Sequence, residues 1–263
     1  MVSQMLTNVS VASVYKEASF KSETTTQTFL GESLDILEEQ AQWIRVRLED
    51  GYEGWVAKFF VVNKPESWNS QSFYHQGAAV AWIYQSPDRQ SGSIRDITIL
   101  SKLPVLERQG DWVQVLLPDG LSGWVENNPR IPVATLDVEQ LIQTAFAFQG
   151  TQYFWGGRSP KGFDCSGFVQ TCFWLNGIQL PRDAYQQAMV GEQVDDDFRT
   201  WAVGDLIFFT ERSGKISHVA ISLGNGDFIH SSGFVKLNSL NPENRDLYIE
   251  KYAKIFTKTV RIL

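Results

Sequence analysis

The sequence predicts an α+β protein in which two small β-barrels precede a domain with helices first and an antiparallel sheet second. Two observations carry this prediction: an internal repeat in the first half of the chain, and a change from helical to strand patterns in the second half. The chain has 263 residues, of which 43% are hydrophobic, enough for more than one packed core.

The repeat aligns residues 37–56 with residues 106–125 at a constant offset of 69, with 11 identities in a window of 20. In each copy an alternating strand precedes Asp-Gly, a hairpin signal, and Gly-Trp then starts another strand. Short strands and close turns are typical of small β-barrels. The two copies resemble bacterial SH3-like domains and predict one domain over 1–65 and a second over 66–133.

The proline-containing stretch 126–137 marks a domain boundary, and the third domain is predicted over 134–263. Its first part predicts helices that begin after the capping residues Asp137, Asp164 and Asp183, the second of them spanning 165–175. The third helix is expected to close at Gly191. Four strand patterns follow, at 204–209, 218–223, 227–232 and 256–263.

The chain has two cysteines, Cys165 and Cys172. Seven residues on a helix separate them by about 10 Å, whereas a disulfide needs Cα atoms within about 7 Å, so a helix over 165–175 excludes a bridge. Cys165 follows the cap Asp164, where free amides and the helix dipole favour a thiolate. The Asp164 charge opposes this, so a cationic partner should also be required. Cys172 lies on the apolar stripe and is assigned to the core.

Two of the three histidines, His218 and His230, lie on strands joined by the turn at 224–226. A regular two-residue turn places the two imidazoles on opposite faces of the sheet. A three-residue loop, or a bulge, places them on one face as diagonal neighbours. A functional histidine pair therefore predicts the longer loop or the bulge. His75, in the repeat half, is interpreted as a surface or packing residue.

A cysteine with two histidines on an adjoining sheet supplies a nucleophile, a base and a residue that orients the base. In this arrangement His218 takes the thiol proton of Cys165, and His230 holds the His218 ring in the useful tautomer. A zinc site is the competing interpretation, because cysteine and histidine are good ligands. Only three ligands and no close metal-binding spacing are present, so cysteine–histidine catalysis is favoured and no metal or cofactor is expected.

The segments "YFWGGRSPKGFDCSGFVQ", "LPRDAYQQ", "VGDLIFF" and "ISHVAISLGNGDFIHSS" resemble, in this order, the NlpC-type cysteine peptidases of bacterial cell-wall metabolism. The resemblance spans about 149–232. It implies a papain-like fold and cleavage of the γ-D-glutamyl bond to a diamino acid in peptidoglycan peptides. It also implies that Cys165 is the nucleophile, His218 the base and His230 the third catalytic member.

The same resemblance implies substrate-binding residues around the nucleophile. Tyr153 and Trp155 belong to the "Y-x-W-G-G" motif, whose tyrosine lines the substrate and oxyanion region. Asp164 and Ser166 flank Cys165 and match substrate contacts.

The order of two SH3-like domains and a catalytic domain resembles the subfamily that releases L-Ala-γ-D-Glu from free muropeptides with an unblocked N-terminal L-Ala. Asp183 matches an acid that holds the substrate ammonium, and Ala184 stands where a serine is common. Tyr52 matches a cleft tyrosine of the first repeat, and Glu23 lies near the place of a second acid. A carboxylate is needed because an unpaired ammonium loses its hydration in a closed pocket.

Composition limits the partners. The net charge of −7 and the absence of a Lys/Arg run argue against nonspecific nucleic-acid binding. The longest apolar stretch, near 78–84, is too short to cross a bilayer. No signal-peptide pattern is found at the N-terminus, so a cytoplasmic location is expected if the chain begins at its natural start. The free-amine pocket that the resemblance implies would reject the acylated peptides of intact cell wall and so implies a recycling enzyme.

Two alternatives remain at this stage: a secreted hydrolase that grips polymeric cell wall with its SH3-like domains, and a wall-binding protein with a decayed catalytic domain. The sequence leaves open the oligomeric state and the choice between L-Lys and meso-diaminopimelate.

Overall fold

The structure, a computed structural model, describes residues 3–66, 68, 72–130, 136–210 and 214–262. The chain forms two compact units, 1–131 and 132–263. The predicted boundary at 133/134 lies outside the described residues, and the one at 65/66 stays a prediction. Within the described ranges, none of the helices combines the length and apolar character that a membrane crossing requires.

In the described residues of the first unit, each copy of the repeat forms one antiparallel sheet, with seven and six strands. The seven strands are β1 Gln4–Thr7, β2 Val11–Tyr15, β3 Thr24–Phe29, β4 Ser33–Gln40, β5 Trp43–Arg47, β6 Glu53–Ala57 and β7 Val61–Asn63. The six are β8 Phe73–His75, β9 Val80–Tyr84, β10 Ser93–Thr98, β11 Lys102–Gln109, β12 Trp112–Leu116 and β13 Ser122–Glu126.

Structural details of the two sheets recur at the same offset as the sequence. The register of β4 on β5 shifts between Ile36 and Glu38, and the register of β11 on β12 shifts 69 residues later. The hairpin glycines Gly51 and Gly120 have positive φ angles of 83° and 86°. Because bulges and turns repeat along with the identities, the internal repeat is confirmed as a structural one.

The second unit has four helices and a six-stranded antiparallel sheet, in the order β16-β21-β17-β18-β19-β20, among its described residues. The helices are α1 Val138–Ala147, α2 Cys165–Leu175, α3 Ala184–Gln187 and α4 Glu250–Ile255. The strands of the sheet are β16 Glu192–Val194, β17 Leu206–Phe209, β18 His218–Gly224, β19 Asp227–Ser232, β20 Phe234–Ser239 and β21 Phe256–Arg261. A two-stranded hairpin, β14 Arg158–Ser159 and β15 Gly162–Phe163, precedes α2.

The α+β arrangement is confirmed, with local differences. Helices α1 and α2 begin at the predicted caps, where Asp137 accepts amide hydrogen bonds from the first turn and Asp164 does the same. Helix α3 ends at Gln187, before the expected Gly191. The sequence patterns missed the hairpin β14–β15, the strands β16 and β20 and the helix α4. β16 and β20 are the two edge strands of the six-stranded sheet, and α4 has only six residues.

Candidate active site

The candidate nucleophile occupies the first position of α2. The Asp164 carboxylate caps this helix and accepts a hydrogen bond of 2.6 Å from the Gly167 amide. The first turn also lies against the backbone of Gly157, because a Cβ atom on Gly167 would come within 2.1 Å of the Gly157 carbonyl oxygen. Nearly every residue of α2 is buried, and Cys165 itself is 7% exposed. The position of the thiol is therefore tightly determined.

Both sequence neighbours of His218 contact the thiol of Cys165. Its Sγ atom lies 3.8 Å from the Ser217 carbonyl oxygen, and a backbone hydrogen bond from Val219 lowers the pKa of the thiol. Burial, followed by the charge of Asp164, outweighs this and raises the pKa to about 12. The expectation of a thiolate is therefore wrong for the free enzyme, since desolvation exceeds the favourable effect of the helix N-terminus.

The turn between the two histidine strands has two residues. Asn225 and Gly226 have positive φ angles of 52° and 83°, and Gly224 pairs with Asp227. This backbone is that of a tight hairpin turn. The three-residue alternative is therefore wrong.

A bulge next to this turn brings the histidines together. The register shifts between Gly224 and Ser222, after which Ser222 pairs with Phe228. The shift turns His218 and His230 to one face of the sheet, and His218 Nε2 lies 2.7 Å from His230 Nδ1. The predicted bulge and the predicted histidine pair are confirmed.

Both histidines are neutral at physiological pH. Burial lowers the pKa of His218 to about 3, and the positive charges of Lys251 and Lys236 add to this. Burial and the neighbouring His218 hold the pKa of His230 well below its usual value. A neutral His218 can accept a proton, as a general base must.

Aromatic side chains enclose the pair. The ring of Tyr252 stacks on His218 at a centroid distance of 6.0 Å, and that of Phe209 lies 5.6 Å from the same imidazole. Phe228 meets His230 edge to face at 5.0 Å. These rings come from α4, β17 and β19 and keep water from the imidazoles.

Asn238, on β20, extends the histidine pair. Its Oδ1 atom lies 3.0 Å from His230 Nε2, and its Nδ2 atom donates to the Leu247 carbonyl oxygen at 3.3 Å. Sequence reasoning missed Asn238 because it did not predict β20. The register of β20 on β19, with Phe228 opposite Asn238, places the amide beside His230.

Arg182 was also missed, although it directly precedes Asp183 in "LPRDAYQQ". Its guanidinium forms two hydrogen bonds to the Asp164 carboxylate, at 2.6 and 3.1 Å, and one of 2.9 Å to Ser166. The Gly156 amide donates to Asp164 as well, at 3.0 Å. Asp164 and Ser166 thus have internal partners, and their contact with substrate stays a prediction.

The other predicted substrate residues of the second unit lie in two segments. Tyr153 is half-buried and its amide donates to the Gly233 carbonyl oxygen at 2.8 Å, while Trp155 is 61% exposed. Asp183 is half-buried at the start of α3, and the neighbouring Ala184 is buried. Their roles towards substrate remain predictions.

Tyr52 and Glu23 lie in the first unit. Tyr52 is half-buried in the hairpin between β5 and β6, where its amide donates to Asp50 at 3.0 Å. Glu23 lies 3.9 Å from Lys16 Nζ at the surface. The predicted contacts of Tyr52 and Glu23 with substrate stay predictions.

The competing zinc interpretation finds no support in the part of the chain that the structure describes. In those residues no three His, Cys, Asp or Glu side chains are grouped as metal ligands. Both cysteines are free thiols.

Family models match three parts of the chain. The NlpC/P60 family model matches 150–256, a bacterial dipeptidyl-peptidase Sh3 domain matches 14–58, and the YKFC SH3b2 domain matches 78–128. The chain is also 32% identical to a gamma-D-glutamyl-L-lysine dipeptidyl-peptidase of Bacillus cereus, over 87% of this chain and 73% of that protein. The chain belongs to the NlpC/P60 family. It is a cysteine peptidase of cell-wall metabolism with two SH3-like domains.

Two further comparisons extend over most of the chain. Dipeptidyl-peptidase 6 of Lysinibacillus sphaericus is 29% identical over 94% of this chain and 95% of that protein. A crystal structure of an NlpC/P60 protein from Bacillus cereus covers 99% of both chains with a TM-score of 0.84 and 24% identity, and shows the same fold. The predicted architecture, a papain-like domain after two SH3-like barrels, is confirmed.

Proposed function

We propose that this NlpC/P60 peptidase hydrolyses the γ-D-glutamyl–diamino acid bond of free peptidoglycan peptides and releases L-Ala-γ-D-Glu. The observation that carries this proposal is the hydrogen-bonded histidine pair beside the buried thiol of Cys165. The name of the Bacillus cereus relative, a gamma-D-glutamyl-L-lysine dipeptidyl-peptidase, supports the choice of bond.

The chemistry begins from neutral groups. His218 Nε2 is engaged by His230, so Nδ1 is the nitrogen that takes the thiol proton as Sγ attacks the γ-carbonyl carbon. Amide donors at the start of α2 lack helical partners and can stabilise the developing oxyanion. The imidazolium then protonates the leaving amine of the diamino acid, the C–N bond breaks and a thioester remains. Water, deprotonated by His218, hydrolyses the thioester and regenerates the thiol.

Neutral reactants suit this mechanism because proton transfer and attack occur together. A thiol with a pKa of about 12 is almost wholly protonated at pH 7, and His218 is available as a base. The charge therefore forms only as the tetrahedral intermediate forms, when the oxyanion donors can stabilise it.

Recognition of a free N-terminal L-Ala is assigned to Asp183. Asp183 is the residue directly before α3, and its backbone amide donates to Gln186 Oε1 at 3.3 Å. A half-buried carboxylate offsets the desolvation of an ammonium, whereas an acetylated amine carries no charge to pair with it. Selection of free amines is the behaviour expected of a cytoplasmic recycling enzyme, and we propose that role.

The test uses L-Ala-γ-D-Glu-L-Lys, its meso-diaminopimelate counterpart and the N-acetylated form of each. The wild-type chain should release L-Ala-γ-D-Glu from free peptides, and Asp183→Asn should lower kcat/KM at least tenfold on these. Cys165→Ala should be inactive and Cys172→Ala active. Equal cleavage of acetylated peptides would overturn the free-amine role. Binding of cell wall without cleavage of any peptide would contradict the proposed enzymatic activity and favour a wall-binding protein.

A further inference from the structure

A chain of buried hydrogen bonds continues beyond the histidine pair into the segment before α4. His218, His230 and Asn238 are 9%, 0% and 9% exposed. The bonds run from His218 Nε2 to His230 Nδ1 (2.7 Å) and from His230 Nε2 to Asn238 Oδ1 (3.0 Å). The Asn238 Nδ2 atom then reaches the Leu247 carbonyl oxygen at 3.3 Å.

The direction of this chain follows from its far end. A backbone carbonyl can only accept, so the amide nitrogen of Asn238 must face Leu247 and the amide oxygen must face His230. An amide oxygen also only accepts, so His230 carries its proton on Nε2. His230 Nδ1 then has a lone pair and accepts from His218, which places the His218 proton on Nε2. The remaining nitrogen, His218 Nδ1, is thereby left as a proton acceptor.

We propose that Asn238 is a positioning residue that sets the tautomers of His230 and His218 and so keeps His218 Nδ1 ready to accept the thiol proton. The inference rests on the proposed catalytic roles of Cys165, His218 and His230. It goes beyond the three matched family residues, because it names the group that orients the third of them.

An amide suits this position better than a carboxylate. Lys236 pairs with His230 across the strands, and Lys251 lies on α4, which packs on the histidines through Tyr252. Both lysines lower the pKa of His230. A neutral acceptor leaves His230 uncharged in this setting. An acidic acceptor would favour an imidazolium, whose Nδ1 proton would point at His218 Nε2 and reverse the tautomer of His218.

The charged groups near the thiol do not change this direction. The thiol of Cys165, on α2, lies 3.8 Å from the carbonyl oxygen of Ser217, which precedes His218, and the adjoining Asp164 is paired with Arg182 at 2.6 Å. The hydrogen bond between His230 and Asn238 therefore determines the tautomers of both histidines.

The first experiment compares Asn238→Leu with wild type in the full chain. Replacement of the acceptor should lower kcat about tenfold to a hundredfold, the range known for losing the partner that orients a metal-bound histidine, with little change in KM. Nitrogen-15 NMR of the imidazoles should show the Nε2–H tautomer for His230 and His218 in wild type and a mixture in the variant. Asn244→Leu is the matched control, since Asn244 Nδ2 bonds to Asp227 Oδ1 at 2.9 Å, apart from the histidines; it should leave kcat and both tautomers unchanged.

The second experiment uses Asn238→Asp, which keeps an acceptor oxygen and adds a charge. Activity should survive at high pH but fall on acidification at a higher pH than in wild type, because protonated His230 reverses the tautomer of His218. If Asn238→Leu does not fold, the proposal is tested with Asn238→Asp alone. A pH profile of activity in Asn238→Asp that equals that of wild type overturns the proposal. Wild-type tautomers in Asn238→Leu overturn it as well. Because tautomers are read without turnover, an inactive wild-type chain would instead refute the proposed function.

Discussion

Arg182 and Asp164 form a buried ion pair, with Nη2 of Arg182 2.6 Å from Oδ2 of Asp164 and side-chain exposures of 2% and 12%. The same carboxylate caps the nucleophile helix through Gly167 and holds the Gly156 amide. One acid therefore joins the start of α2, the "Y-x-W-G-G" loop and the segment that carries Asp183.

Breaking this pair should destabilise the second unit strongly. Arg182→Met leaves the Asp164 charge buried without its cation, which we expect to cost about 3–5 kcal/mol. Urea denaturation measures the loss, and a double-mutant cycle with Asp164→Asn should recover part of it. Arg199→Met, which removes an exposed pair with Asp197, should leave the denaturation midpoint unchanged. A loss no larger than that of Arg199→Met would contradict the role of the pair.

The thiol of Cys165 should react with alkylating reagents in a pH-dependent manner. Because burial raises its pKa to about 12, the thiolate fraction and the alkylation rate should rise about tenfold per pH unit from pH 6 to 9. The rate is measured by mass spectrometry with iodoacetamide in a Cys172→Ala background. A plateau between pH 5 and 8 would indicate a preformed thiolate instead.

The buried histidines should make stability fall on acidification. The pKa of His218 is 6.5 unfolded and about 3 folded, so below pH 6.5 the unfolded chain binds a proton that the folded chain does not. The free energy of unfolding should therefore decrease by about 1.4 kcal/mol per pH unit for this residue as the pH falls from 6.5 towards 3.

The measurement is denaturation at pH 7 and pH 5 for wild type and His218→Gln. The variant should lose less stability over this interval, since glutamine does not titrate. An equal loss in both proteins would place the acid sensitivity elsewhere.

Replacement of the turn glycine Gly226 by alanine should be more destabilising than the same replacement at a glycine with open space around it. Its φ of +83° disfavours a side chain, and a Cβ atom there would lie 2.9 Å from Phe198 and 3.1 Å from the Asn241 amide. Gly150 has a similar φ of +85° with nothing within 4 Å. We expect Gly150→Ala to cost about 1–2 kcal/mol and Gly226→Ala to cost more and lower kcat, since it disturbs the register of β18 and β19. Equal effects in denaturation and kinetics would show that the turn does not hold the pair.

Local sequence patterns correctly predicted many of the structural elements of this protein. The repeat, the caps at Asp137 and Asp164, and the first residue of the nucleophile helix all depend on contacts within a few residues, which sequence patterns record. The hairpin was predicted as a choice between two solutions, because a loop and a bulge give the same histidine geometry.

The sequence alone thus determined the two modules, the α+β domain, the helix of Cys165 and the condition that brings His218 and His230 together. The tertiary structure decided the rest. Asn238 reaches His230 through the β19–β20 hairpin, whose second strand the sequence patterns did not identify. Arg182 reaches Asp164 by side-chain hydrogen bonds that depend on how the segment before α3 packs against the start of α2. Burial, also a property of the assembled fold, reverses the expected ionisation of Cys165, because desolvating a thiolate in the packed interior costs more than the helix N-terminus returns.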